Sequence, residues 1–203
     1  MSAPALLLSG IATVLLFGAV VQVEGARRPG YDPRYHTGSE LELGPAGWIM
    51  RVNFFVVGLG LLAFAAGVRA SLDADVAAAL LAVSALALVL AGVFAPDPVR
   101  GFPLGADTTG RPATTAAKVH YLMGPLLCLS LAGACVAVAG RLDGLWAGYS
   151  VLTAVAGLAL TGRLIALYRR DAANTGLAQR QLLSVFGVWV VVLGLALVVG
   201  AAD

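Results

Sequence analysis

His36 and His120 are the only two histidines among 203 residues, and each stands near groups that could work with it. His36 lies in Arg28-Pro-Gly-Tyr-Asp-Pro-Arg-Tyr-His-Thr-Gly-Ser-Glu-Leu41, close to Tyr31, Asp32, Ser39 and Glu40. His120 follows a polar stretch that opens with Phe94-Ala-Pro-Asp-Pro98. Three chemistries fit these residue types. Ser39, His120 and Asp97 can be nucleophile, base and orienting carboxylate of a hydrolase, although no GxSxG elbow is present. His36, His120 and Asp97, with Asp32 or Glu40, can hold a divalent metal that activates water. That choice ranks lower, because no HExxH-type spacing supports it. In the third, burial keeps Asp97 or Glu40 protonated for acid–base work on an isoprenoid or other lipid. Haem coordination by His36 and His120 is poorly supported, since one histidine sits in a loop and neither shows paired helix placement.

Each residue also has a plain structural use. Ser39 suits a helix cap or the start of a short interfacial helix, and Asp97 between two prolines suits a turn. His120 can simply hydrogen-bond a loop carbonyl. Trp48, Trp146, Tyr121 and Tyr168 suit an aromatic belt. Cys128 and Cys135, seven apart on one helix face, lie beyond disulfide reach and read as packing residues.

The elements that must position these groups follow from composition. Hydrophobic residues make up 60% of the chain and charged residues 12%, with a mean hydropathy of +0.90. This excludes a disordered chain, a nucleic-acid binder and an ordinary soluble enzyme; a net charge of +2 offers a polyanion no basic patch. Six stretches reach the roughly 20 residues needed to cross a bilayer core. They run from Ala5 to Val23, Trp48 to Val68, Val76 to Phe94, His120 to Ala139, Leu145 to Leu167 and Leu182 to Ala201. Spanning backbone must satisfy its own hydrogen bonds, so each is read as a helix. The fold class is therefore an all-α membrane bundle of six transmembrane helices, one domain over residues 1–203. The first stretch lacks a basic n-region and is followed by five more, so it reads as a retained helix rather than a cleaved signal.

The first and second long connections run over Gly25–Ala46 and Pro96–Lys118; Arg69–Asp75 and Arg141–Gly144 are short turns. Arg27, Arg28, Arg34, Arg51, Arg100, Arg111, Lys118, Arg163, Arg169, Arg170 and Arg180 fall on the side of the odd connections. Only Arg69 and Arg141 fall opposite, an 11-to-2 split of the 13 basic residues. The positive-inside rule places the odd connections in the cytoplasm of a cell-membrane protein. That side also holds both histidines, Tyr31, Asp32, Tyr35, Ser39, Glu40, Glu42, Asp97 and Asp107, and the helix ends add Arg51, Asn53, Tyr121 and Arg163.

Gly30-Tyr-Asp-Pro33, His36-Thr-Gly-Ser-Glu-Leu41, Val93-Phe-Ala-Pro-Asp-Pro98 and His120 occur in an order that resembles the bacterial and archaeal membrane family called domain of unknown function 998. The resemblance implies a six- to seven-helix architecture, an aspartate after the third helix and a histidine opening the fourth. It implies no activity.

Two functional readings follow. The first is a membrane-embedded acid–base enzyme, of hydrolase or isomerase and cyclase type, acting on a lipid-like substrate. Asp97 and His120 are then the acid–base pair, with Ser39 and Glu40 assisting. Tyr31, Asp32, His36 and Asn53 contribute to substrate binding, and Arg51 or Arg163 orients an anionic group. The second is a non-catalytic protein that binds or moves an amphipathic small molecule. Charge is absent from mid-span, which argues against an ion-coupled midplane site. Membrane lipid is the expected partner, nucleic acid is not, and self-association is open.

Overall fold

The computed structural model describes residues 1–108 and 112–201; Arg111, counted above among the basic residues, lies outside the described residues. Among the described residues are six helices, each long and apolar enough to cross a membrane: α1 Ala3–Arg27, α2 Gly47–Leu72, α3 Asp75–Val93, α4 Thr115–Ala139, α5 Gly144–Arg169 and α6 Thr175–Val198. A short 3-10 helix, Gly38–Glu42, interrupts the α1–α2 connection.

Two helices begin earlier than hydropathy predicts. α4 starts at Thr115, five residues before His120, because Thr114 caps it by accepting the Ala117 N–H at 3.1 Å. α6 starts at Thr175, seven residues before Leu182, so Gln179 and Arg180 stand on its first turns. Polar first turns of this kind lie outside an apolar window but remain helical wherever tertiary partners receive their side chains.

The helices close into a ring in which each packs on its sequence neighbours and α6 returns to α1. Close approach between α1 and α2 depends on small residues: a Cβ on Gly60 would overlap the Thr13 side chain. Polar groups button the ring across neighbouring helices. Ser84 and Ser130 hydroxyls meet at 2.7 Å between α3 and α4. Trp189 Nε1 donates to Ser150 Oγ at 3.0 Å between α6 and α5. Asn53, proposed from sequence as a binding residue, instead donates from α2 to the Phe17 carbonyl of α1 at 3.2 Å. Outward faces carry exposed Leu59, Leu122, Leu152 and Val155. Such an apolar exterior suits lipid contact. Cys128 and Cys135 are free and buried.

The 3-10 helix is packed inside the protein. Gly38, Glu40, Leu41 and Glu42 are all buried, so the segment lies tucked into one end of the ring, against α1, α2 and α6.

Candidate functional site

Arginines on two neighbouring helices hold the first long connection in place. Arg28, at the end of α1, donates to the Leu43 and Leu41 carbonyls at 2.9 and 3.2 Å and pairs with Glu24 at 3.0 Å. Arg180 on α6 donates to the Tyr31 hydroxyl at 2.7 Å and the His36 carbonyl at 3.1 Å. Gln179 accepts the Gly38 N–H at 2.6 Å. The loop presses so closely on α6 that a Cβ at Gly176 would overlap the His36 carbonyl.

Arg100 joins the two long connections. Its side chain is 3% exposed and its backbone adopts φ 59°, a left-handed conformation that costs a non-glycine residue about 1–2 kcal/mol. In that geometry the guanidinium donates to the Tyr35 carbonyl at 2.8 Å and pairs with Asp171 at 3.1 Å. It also stacks over the Tyr35 and Tyr168 rings at 4.9 and 4.5 Å. Tyr35 donates to the same Asp171 carboxylate at 2.7 Å. The two long connections and the α5–α6 turn therefore meet over one end of the bundle.

The sequence-predicted residues divide sharply at this end. His36 accepts the Asp32 N–H on Nδ1 at 2.8 Å, so its proton sits on Nε2 and is given to the Arg100 carbonyl at 3.1 Å. Both nitrogens are thus occupied in holding loops together. Tyr31 donates to the Thr37 carbonyl at 2.9 Å, and Asp32 accepts the Arg34 N–H at 2.8 Å in a turn. Asp97 receives both the N–H and the hydroxyl of Thr114, at 2.8 and 2.7 Å, and so ties the second connection to the start of α4. Arg163 is exposed and donates to Gln181 at 2.7 Å. Arg51 is half-exposed and lies 4.0 Å from Glu42.

No hydrogen bond joins Ser39, His120 and Asp97, so the triad arrangement is not assembled. Ser39 Oγ lies 3.3 Å from Thr37 Oγ1 instead, and His120 turns Nδ1 toward the α3 carbonyls of Phe94 at 2.8 Å and Ala91 at 3.1 Å. Among the described residues, no three His, Cys, Asp or Glu side chains group as metal ligands. The suggested His36, His120 and Asp97 set has its donors turned to separate partners.

A half-open cavity of about 470 Å³ is lined by residues of all six helices and of the 3-10 helix, with exposed Tyr121, Ile165 and Arg169 on its α4–α5 side. Ser39, Glu40 and His120 are the three sequence-predicted site residues on its wall; the remainder is mostly apolar, including Phe17, Phe54, Ala87, Leu127, Leu164 and Leu182. Along α4 the lining runs from His120 to Cys128, a rise of about 12 Å. Polar groups therefore cluster at one end of a greasy chamber, where Tyr121, Tyr168, Gln179 and Arg169 join them.

Glu40 is 2% exposed. Its Oε1 accepts the Thr37 hydroxyl at 2.9 Å, while Oε2 is buried with no partner. Burial raises its pKa, against the Thr37 hydrogen bond, Arg100 at 4.0 Å and His36. Beside it Glu42 is more isolated still: among the described residues neither oxygen has a hydrogen-bond partner. Burial pushes this carboxyl up to about 8, with Arg51 pulling only weakly the other way. Glu42 and Arg100 were visible in sequence only as loop charges. The signal that could have marked the first is its setting in Glu40-Leu-Glu-Leu43, acids alternating with leucines between two glycines.

A family model described as Protein of unknown function (DUF998) matches residues 11–196. No curated protein and no solved structure matches the chain.

Proposed function

We propose that this chain, which belongs to the DUF998 family, takes an amphipathic, lipid-like molecule into the interior of its six-helix bundle. One observation carries the reading: an apolar cavity of about 470 Å³ carries a polar cap made by buried Glu40 and His120 with half-buried Ser39. Volumes of several hundred Å³ with apolar walls and a few convergent polar groups suit a small-molecule site. The cap would hold the head group and the helices would surround the chain. The 11-to-2 distribution of basic residues supports placing this end of the bundle in the cytoplasm.

The test is photolabelling of protein in lipid bilayers with a long-chain alcohol that carries a diazirine on its tail. Labelling of Met123, Leu127 or Leu182, which line the chamber, is the expected result. Labelling confined to Leu122 and Leu129, which are exposed outside it, would defeat the reading.

A second reading, acid–base catalysis on the bound molecule, has its own support. Burial raises the pKa of Glu40 and so favours its proton-donating form, and the His120 ring shares its cavity. Glu40→Gln separates the two: an enzyme loses turnover of a bound lipid while retaining its binding, whereas a binder shows no turnover in either form.

A further inference from the structure

The wall of the cavity is not equally closed on every side. At the loop end Thr37, Gly38, Glu40 and Pro96 seal it, all of them buried, and at mid-depth buried Cys128 and Thr161 close it. Among the described residues, four lining positions are exposed: Tyr121 and Gly124 on α4, and Ile165 and Arg169 on α5. The open side therefore lies between these two helices.

Local structure explains why they part here. α5 has no buried residue after Thr161, so neighbours nowhere fully enclose its last turns. Facing this stretch, Gly124 gives α4 no side chain with which to fill the gap, and a Cβ built there would meet nothing within 4 Å. Toward the loops the Tyr121 and Tyr168 rings reach across from α4 and α5, with centroids 6.2 Å apart. Arg100 stacks on Tyr168 at 4.5 Å, so the residue that joins the long connections also supports the loop end of the opening.

The opening repeats the polarity of a bilayer leaflet. Arg169, Tyr168 and Tyr121 stand at its loop end, at the depth of head groups, while Ile165 and Gly124 stand about one helical turn deeper, at the depth of acyl chains. Exposed Leu122, Leu126, Leu129 and Leu158 surround it with apolar surface. A ligand that arrives this way never brings its chain into water, a transfer that grows costlier with every methylene.

We infer that the cavity is loaded sideways from the membrane. A lipid of the leaflet on the long-connection side passes between α4 and α5, lodges its head at the loop end and leaves the rest of its chain in the bilayer. The inference rests on the amphiphile-binding reading above and deepens it: the ligand is a resident of the membrane whose chain length the cavity does not limit. At roughly the 30 Å³ that one water molecule occupies in the liquid, 470 Å³ encloses about 15 heavy atoms. A longer chain has to extend through the opening.

The experiment compares farnesol, a 15-carbon alcohol, with geranylgeraniol, its 20-carbon homologue, on the full-length protein in nanodiscs. Affinities are taken per mole fraction of alcohol in the bilayer. Geranylgeraniol is expected to bind within about threefold of farnesol, because its surplus carbons stay outside. Ile165→Trp narrows the opening and should weaken geranylgeraniol tenfold or more. Leu158→Trp, at an exposed position on the same helix away from the cavity, should leave it unchanged. A tenfold loss from farnesol to geranylgeraniol in the wild type means an enclosed chain and overturns the side entry. So does unchanged binding in Ile165→Trp, or an equal loss in both tryptophan variants. In each of these cases farnesol still binds the wild type and the amphiphile-binding reading survives. If neither alcohol binds the wild type, that reading fails and this inference fails with it.

Discussion

Glu42 Oε1 lies 3.5 Å from His120 Nδ1, and the two side chains are 0% and 6% exposed. The contact is too poorly aligned for a hydrogen bond, since both Glu42 oxygens remain without a partner. Nδ1 is committed to the α3 carbonyls instead. A carboxylate sealed in this position is costly when ionised and tolerable when protonated. The carboxyl nearest the His120 ring is thus Glu42 rather than Asp97, and its neutral form is the one that fits the fold.

This gives a pH dependence with a definite sign. A free glutamate titrates near 4.5, and Glu42 in the fold titrates near 8. Between those values the folded state holds a proton that the unfolded state has released, so stability falls as pH rises from about 5 to 8 and levels above that. Glu42→Gln should flatten the profile and stabilise the protein at pH 8.5 by roughly 4–5 kcal/mol, the 1.36 kcal/mol per pKa unit taken over that shift. Thermal unfolding in detergent across pH 6–9 measures this; a wild-type profile that rises over the interval would contradict it.

Asp97 holds Thr114, the residue that caps α4. Asp97→Ala should cost about 1 kcal/mol of stability, the usual value of a helix-cap interaction, and leave ligand affinity unchanged. Affinity that collapses while stability holds would return Asp97 to the binding site.

Arg100 carries the contact between connections. Arg100→Met removes the guanidinium that satisfies the buried Tyr35 carbonyl and faces Glu40, and should destabilise the fold by about 2–4 kcal/mol. Limited proteolysis should then cut within residues 28–46 before any other segment. Wild-type resistance in the variant would show that the loops do not depend on this residue.

Ser84 and Ser130 offer a test of the bundle itself. A double-alanine cycle should show a favourable coupling of about 0.6 kcal/mol, typical of hydrogen bonds between helices in membranes. Zero coupling would place α3 and α4 in a different register from the one seen here.

The architecture was legible in the sequence because a lipid-facing helix has to be apolar along nearly its whole length, and six such windows stood apart from polar connections. The meeting of the two long connections was legible as well, through the clustering of titratable residues on one side. What could not be read was which charged residues are inside. Glu42 and Arg100 score as surface residues on any hydropathy scale, yet both side chains are buried beside residues far along the chain, His120 and Asp171. The Asp97 contact was hidden for the related reason that its partner Thr114 is 17 positions away, and no periodicity links a loop carboxylate to a distant cap. His120, Ser39 and Glu40, singled out in the sequence by residue type, line one cavity.

The central claim is that the chamber beneath the 3-10 helix holds the ligand, and filling it tests that most directly. Ala87 is 1% exposed and lines the chamber, whereas Leu122 is 63% exposed and does not. Native mass spectrometry of Ala87→Phe and Leu122→Phe, each loaded with farnesol and checked for an unchanged melting temperature, reads occupancy on the intact protein. Loss of at least nine-tenths of the bound ligand in Ala87→Phe, with full occupancy in Leu122→Phe, is the predicted result. Full occupancy in both would place the ligand elsewhere and contradict the account.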